Sequence, residues 1–347
     1  MSRFDWLPSK SGDIPLLAGV LAAVLAVGLA VSPLIVSLPG SMYVFVEVAT
    51  TFVIYGLLIL GLNLQYGFAG LVNFGHVVFF AVGAYTVAIL SAQNTFAGIG
   101  LGLPWPIAVV AGVGTAALVG AIVAMTSLRL RGDFLAIVTL ATAEIFHSIT
   151  VNFKGIFGGN VGILGIPQPV ANLAQNTQTA MTAHLLLFGG LTLVTLGGIT
   201  RLTNAPYGRV LRAIRADELV SRSIGKPVFS YKMQSFVYGA ALAGFAGGLF
   251  ALYNGAVAPG FFTIQVTVTI WIGMLLGGAA NHRAVLIGLA VIMSLRLFSR
   301  FALDITPISS SAFASVRLII IGLILVAIIR FRPAGIFGDA KQLGVDT

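Results

Sequence analysis

The chain has 347 residues, 58% of them hydrophobic and only 8% charged, with 42 glycines, a net charge of +9 and a mean hydropathy of +1.03. This excludes a soluble globular protein, and the absence of cysteine excludes disulfides, thiolate metal sites and a cysteine nucleophile. No soluble surface carries the positive charge beside aromatic or groove-reading partners, so nucleic-acid binding is set aside.

Apolar runs long enough to cross a hydrocarbon core of about 30 Å as helices recur from end to end. In chain order they predict about ten spans: 15–38, 43–65, 76–93, 104–127, 133–152, 181–200, 231–253, 264–279, 283–298 and 313–330. Continuous runs, rather than alternation over roughly ten residues, exclude a barrel. The expected fold is an all-α, polytopic transmembrane helical bundle forming one domain over 1–347. The start, "MSRFDWLPSK", mixes Arg3 and Lys10 with Asp5, and the first span is uncharged. That pattern suits a retained first helix better than a cleaved signal.

Placing the basic segment 201–232 on the cytoplasmic side brings 15 of the 19 Lys and Arg inside, leaving Lys154, Arg296, Arg300 and Arg317 outside. Both termini are then cytoplasmic, and the uncharged loop 91–104 lies outside.

The stretch "GLNLQYGFAGLVNFGHVVFFAVGAY", 61–85, sets Asn63, Gln65, Asn73 and His76 among glycines at 61, 67, 70, 75 and 83. Small residues permit close helix packing; broken helices beside a substrate path also use glycine, with exposed backbone lining a polar cavity. Asn63, Gly67, Gly70, Asn73 and His76 are therefore candidates for the translocation path. A second glycine-rich stretch, "GAALAGFAGGLFALYNG" at 239–255, hints at a weak repeat between the halves. Within 127–147, Glu144 and His147 lie one turn apart on one helix face, and Glu47 lies in the second span. An ionisable residue inside a span is costly, so Glu144 joins the path candidates; the alternative is that it and His147 satisfy each other near the outer interface.

The chain has no H-E-x-x-H, no G-x-S-x-G and no phosphate-binding loop, since its one Gly-Lys pair, Gly225 and Lys226, is followed by Pro227. An enzyme is not expected. No cofactor is expected on this chain, and any ATP and Mg would belong to a partner ATPase.

Charge crowds into "YGRVLRAIRADELVSRSIGKP", 207–227. Val210, Leu211 and Ile214 fall at helical spacing, with Arg209, Arg212 and Arg215 every three residues on the other side. A short amphipathic helix is expected there. Asp217 and Glu218 suit the first turn of a second one, carrying Leu219, Val220 and Ile224 and stopped by Gly225 and Pro227. A solvated loop obeying the positive-inside rule is one reading. Paired apolar faces favour a docking element, which buries an apolar ridge in a partner's groove.

Taken together, "GFAGLVNFGHVVFFAVGAY", "RLRGDFLAIVTL", "GRVLRAIRADELVSRSIGKPVFSYK", "AGFAGGLFAL", "LLGGAANHRAVLIG" and "FRPAGIFG" resemble, in order, the membrane permease subunits of ATP-binding-cassette importers for branched-chain amino acids. The resemblance covers roughly 45–338 and is greatest to the longer of the two permease types, the M type. It implies a heterodimer with a second, related permease, two cytoplasmic ATPase subunits and an extracytoplasmic solute-binding protein, in a prokaryotic cytoplasmic membrane. It also implies that 201–232 is the coupling segment, its acidic residue, small residue and glycine carried by Glu218, Ser221 and Gly225; Arg212, Arg215 and Asp217 beside them are further candidate coupling residues. The turn "GGAANHRAVLIG" departs from the family's more glycine-rich GG-x-G, and relatives carry urea or amides. The rival readings are a permease for urea or amides, an ion-coupled secondary transporter relaying protons through Glu144 and His147, and a passive channel.

Overall fold

The computed structural model describes residues 41–92, 100–129, 133–170 and 177–302, with further positions at 319, 322, 335 and 336. Helix α1 (Ser41–Leu62) runs directly into a six-residue π-helical turn, Asn63–Phe68. There follow α2 (His76–Ser91), α3 (Trp105–Ser127), α4 (Asp133–Asn152) and a single turn, α5 (Lys154–Phe157). The long α6 (Thr177–Asn204) leads into two short helices, α7 (Pro206–Ala216) and α8 (Glu218–Ser223), before α9 (Val228–Asn254), α10 (Ile264–Gly277) and α11 (His282–Ala302). Among the described residues the only sheet is a pair of two-residue antiparallel strands, β1 (Ile163–Leu164) and β2 (Ala256–Val257).

The expected all-α bundle is what forms. Among the described residues six helical stretches are long and apolar enough to cross a membrane, in α1, α3, α4, α6, α9 and Pro259–Gly277, which contains α10; α2 and the first part of α11 are shorter apolar helices. The span expected at 15–38, all of that at 313–330 except positions 319 and 322, and both termini lie outside the described residues. Helices α6 and α9 extend past the expected 181–200 and 231–253. Hydropathy marks the length lipid covers, whereas the backbone ladder continues through flanking polar residues such as Arg201 and Ser230.

At the centre, α2 packs against α9, and the two glycine-rich stretches meet there face to face. A Cβ on Gly83 would lie 2.1 Å from the Gly244 carbonyl, and one on Gly247 would lie 1.9 Å from that of Phe80. Only glycine permits this approach, which answers the glycine density with close packing. Helices α4 and α6 lie at the periphery, with Ile137, Ile145, Leu186, Leu193 and Val194 facing outward. An apolar outer face suits helices whose solvent is lipid.

The connections sort by end. At one end, which carries the basic segment, the π-turn meets α7 and the turn before α11. At the other, β1 pairs with β2 and Gln168 Nε2 donates to the Tyr253 carbonyl at 3.0 Å. This grouping follows from one passage per span.

Candidate functional site

The segment 206–227 is two helices with opposite habits. Proline opens α7 at its first turn, where a missing N–H costs nothing. Its apolar residues turn inward: Leu211 is 0% and Ile214 2% exposed. Gly208 lies so close to the Thr203 carbonyl that a Cβ would sit 1.9 Å from it, which seats α7 against the end of α6. At Asp217 the backbone becomes extended, and the carboxylate accepts from the Val220 N–H at 2.9 Å, capping α8. The other end closes with Gly225 at φ +76, bonds from Gly225 N to Arg222 O at 3.0 Å and from Lys226 N to Ser221 O at 3.2 Å, and then Pro227. On α8 the apolar residues point away from the protein: Leu219 is 73%, Val220 58% and Ile224 66% exposed. The ridge expected from the sequence is thus split, half spent inside the chain and half presented.

The charges divide the same way. Arg209 is exposed, while the Arg212 guanidinium lies 5.6 Å from the Phe68 ring and that of Arg215 5.3 Å from the Tyr66 ring. Arg215 Nη1 also donates to the Gly67 carbonyl. Burial lowers the Arg215 pKa from the ordinary arginine value, and the neighbouring Tyr66 opposes that shift. Glu218 pairs with Arg222 at 3.1 Å and with Lys232 at the start of α9. Ser221 is buried, and Gly225 is exposed with open space where a Cβ would stand.

Beneath α7, the chain between α1 and α2 is a buried corner held by side chains. Gln65 Nε2 donates to the Phe236 carbonyl, Asn73 Nδ2 to Gln65 Oε1, and Gly75 N to Asn73 Oδ1, each at 2.9 Å. The Trp271 indole donates to the Asn73 carbonyl at 3.0 Å. Asn63 Oδ1 accepts from Ala280 N at 2.8 Å, and Asn63 Nδ2 contacts His282 Nδ1 at 3.2 Å, while His282 Nε2 lies 3.0 Å from Thr203 Oγ1. His76 Nε2 lies 3.1 Å from the Leu58 carbonyl. Asn63, Asn73 and His76 are fully buried, and a Cβ on Gly67 would lie 2.0 Å from Asn63 Oδ1. Gly70, at φ +71, lets the Arg215 stem pass over it. Five path candidates therefore gather in one packed corner. Glu144 does not join them: it is exposed on α4 and lines a small cavity of about 110 Å³ with His147, Phe262 and Thr263 near the far end. Sequence reasoning passed over Thr203, Trp271, Ala280 and His282. Thr203 and His282 lie near the end of an apolar run, where a polar residue reads as interface, and Trp271 sits mid-run, where it reads as core; the cue available was the run Asn281-His282-Arg283 beside a weakened glycine turn.

These features define a multi-pass membrane permease. A family model described as the branched-chain amino acid transport system permease component matches residues 44–329. The chain is 33% identical over 312 residues to the high-affinity branched-chain amino acid transport system permease protein LivM of Escherichia coli K12, covering 84% of this chain and 69% of that one. LivM of Salmonella typhimurium is similar to the same extent. The E. coli permease LivH is 24% identical over 298 residues, covering 82% of this chain and 91% of its own length. No solved structure matches. The chain belongs to the branched-chain amino acid transport permease family and is of the LivM type.

Proposed function

We propose that the chain is the M-type permease of an ATP-binding-cassette importer in a prokaryotic cytoplasmic membrane, passing branched-chain or closely related amino acids. It works beside a second, LivH-like permease, with two cytoplasmic ATPase subunits and an extracytoplasmic binding protein that delivers the solute. ATP and Mg are held by the ATPases. The observation that carries this reading is α8: three large apolar side chains presented at the basic end of a chain that has no phosphate-binding loop. Exposed apolar surface of that kind, framed by charge, fits a groove on another protein. Asp217 and Gly225 set where α8 begins and ends, and Glu218, tied to Arg222 and Lys232, sets how it lies against α9. Similarity to both LivM and LivH supports a paired permease. The path itself runs along the packed corner of Asn63, Gly67, Gly70, Asn73 and His76, with Glu144 nearer its far mouth.

Disrupting the gene in its own cell tests the function. Uptake of labelled leucine, isoleucine and valine is expected to fall, with urea and short amides unaffected. Unchanged leucine uptake with lost urea or amide uptake would move the assignment to the related solutes. Uptake of leucine by the purified chain alone, driven by an ion gradient in liposomes, would overturn it.

A further inference from the structure

We propose that Arg215 is a positioning residue that pins α7 to the π-helical turn Asn63–Phe68, so that a displacement received at α8 is carried into the buried corner between α1 and α2. This rests on the reading of α8 as the ATPase-facing element and adds how its motion enters the permease.

Three contacts define the pin. The Arg215 guanidinium stacks on Tyr66, its Nη1 bonds the Gly67 carbonyl, and its stem passes over Gly70. Gly67 in turn has no room to yield: a Cβ there would lie 2.6 Å from Ala280 N as well as 2.0 Å from Asn63 Oδ1. A push on Arg215 is therefore passed through the Gly67 peptide to Asn63 and the turn before α11. Arg212 makes a second, parallel contact, since Phe68 beneath it stacks on His282 with ring centroids 5.0 Å apart. His282 and Asn63 together bring in Thr203 at the end of α6. One pair of arginines thus reaches the ends of α1, α6 and α11. A planar guanidinium can stack on a ring and donate in plane at the same time, which an ammonium cannot. The π-turn is a suitable receiver, because single π-helical turns at the end of an α-helix are found frequently at functional sites.

The test uses the assembled importer, with both permeases, the ATPases and the binding protein in liposomes. Co-elution of the ATPase, ATP hydrolysis and solute uptake are measured for wild type, Arg215→Gln, Arg215→Lys and Tyr66→Leu. Arg215→Gln is expected to keep the ATPase bound and hydrolysis within about twofold while uptake falls about tenfold or more, within the usual range of coupling between sites. Arg215→Lys recovers only part of the uptake, because it keeps the charge and loses the plane. If Arg215→Gln fails to assemble, Tyr66→Leu, which removes the ring from the other side, is expected to show the same split. Hydrolysis and uptake falling in parallel, or neither falling, overturns the proposal. A Leu219→Asp, Ile224→Asp variant keeps the two readings apart: if it still holds the ATPase, the docking role of α8 fails whatever Arg215 does.

Discussion

Helices α7 and α8 are neighbours in one charged segment and were built from the same kinds of residue, yet they belong to different surfaces. Leu211 and Ile214 of α7 are buried in the permease, whereas Leu219, Val220 and Ile224 of α8 face outward. The switch between them is Asp217, whose extended backbone turns the chain and whose carboxylate starts the second helix. The difference teaches that an amphipathic pattern states only that a face will be covered. Which molecule covers it depends on where the preceding helices end, here on Gly208 against Thr203 and on the two arginines over the π-turn.

Charge placed on each face should separate the helices most sharply. Leu211→Asp puts a carboxylate where no water reaches, at a cost of about 4 kcal/mol or more, and little folded protein should be recovered from membranes. Leu219→Asp should leave thermal stability in detergent within about 0.5 kcal/mol while abolishing co-purification of the ATPase. Equal behaviour of the two variants would erase the distinction between the helices.

A smaller effect is expected at the boundary. Asp217→Ala removes the cap of α8 and should cost about 1 kcal/mol locally, read as roughly fivefold faster amide hydrogen exchange in Val220 and its neighbours with α7 unchanged. If α7 loosens equally, the two helices are one unit. The smallest effect lies behind α7. Ala280, at φ 67, is the single non-glycine residue in the left-handed region among the described residues, held there with its N–H on Asn63. Ala280→Gly should relieve that strain and raise the melting temperature by about 2 °C.

Much of this architecture was legible in the sequence because lipid is a demanding solvent: a span must be apolar throughout, so α1, α3, α4, α6 and α9 announce themselves. The two short helices of 206–227 were legible for another reason, since Asp217, Glu218 and the Gly225–Pro227 stop are local signals. The corner was only half legible. Its glycines and amides stood out between 61 and 76, but the Asn63 partners Ala280 and His282 lie 217 and 219 residues along the chain, Thr203 joins only through His282, and none carries a periodic signal of its own. The inward turn of Arg212 and Arg215 was hidden for the same reason. Their spacing of three reads as a solvated face until the position of Tyr66 and Phe68 is known. Even the departure at Ala280 from a glycine-rich turn had its meaning only once the backbone there proved left-handed.

The chain has no cysteine, so a single introduced thiol reports without background. Leu211→Cys and Leu219→Cys, labelled with a membrane-impermeant maleimide in inside-out vesicles, test the division between the helices most directly. The account predicts that the thiol at 211 reacts slowly with or without the ATPase, while that at 219 reacts fast on the permease alone and about tenfold or more slowly once the ATPase is bound. A thiol at 219 that labels equally in both states, or one at 211 that the ATPase alone protects, would contradict it.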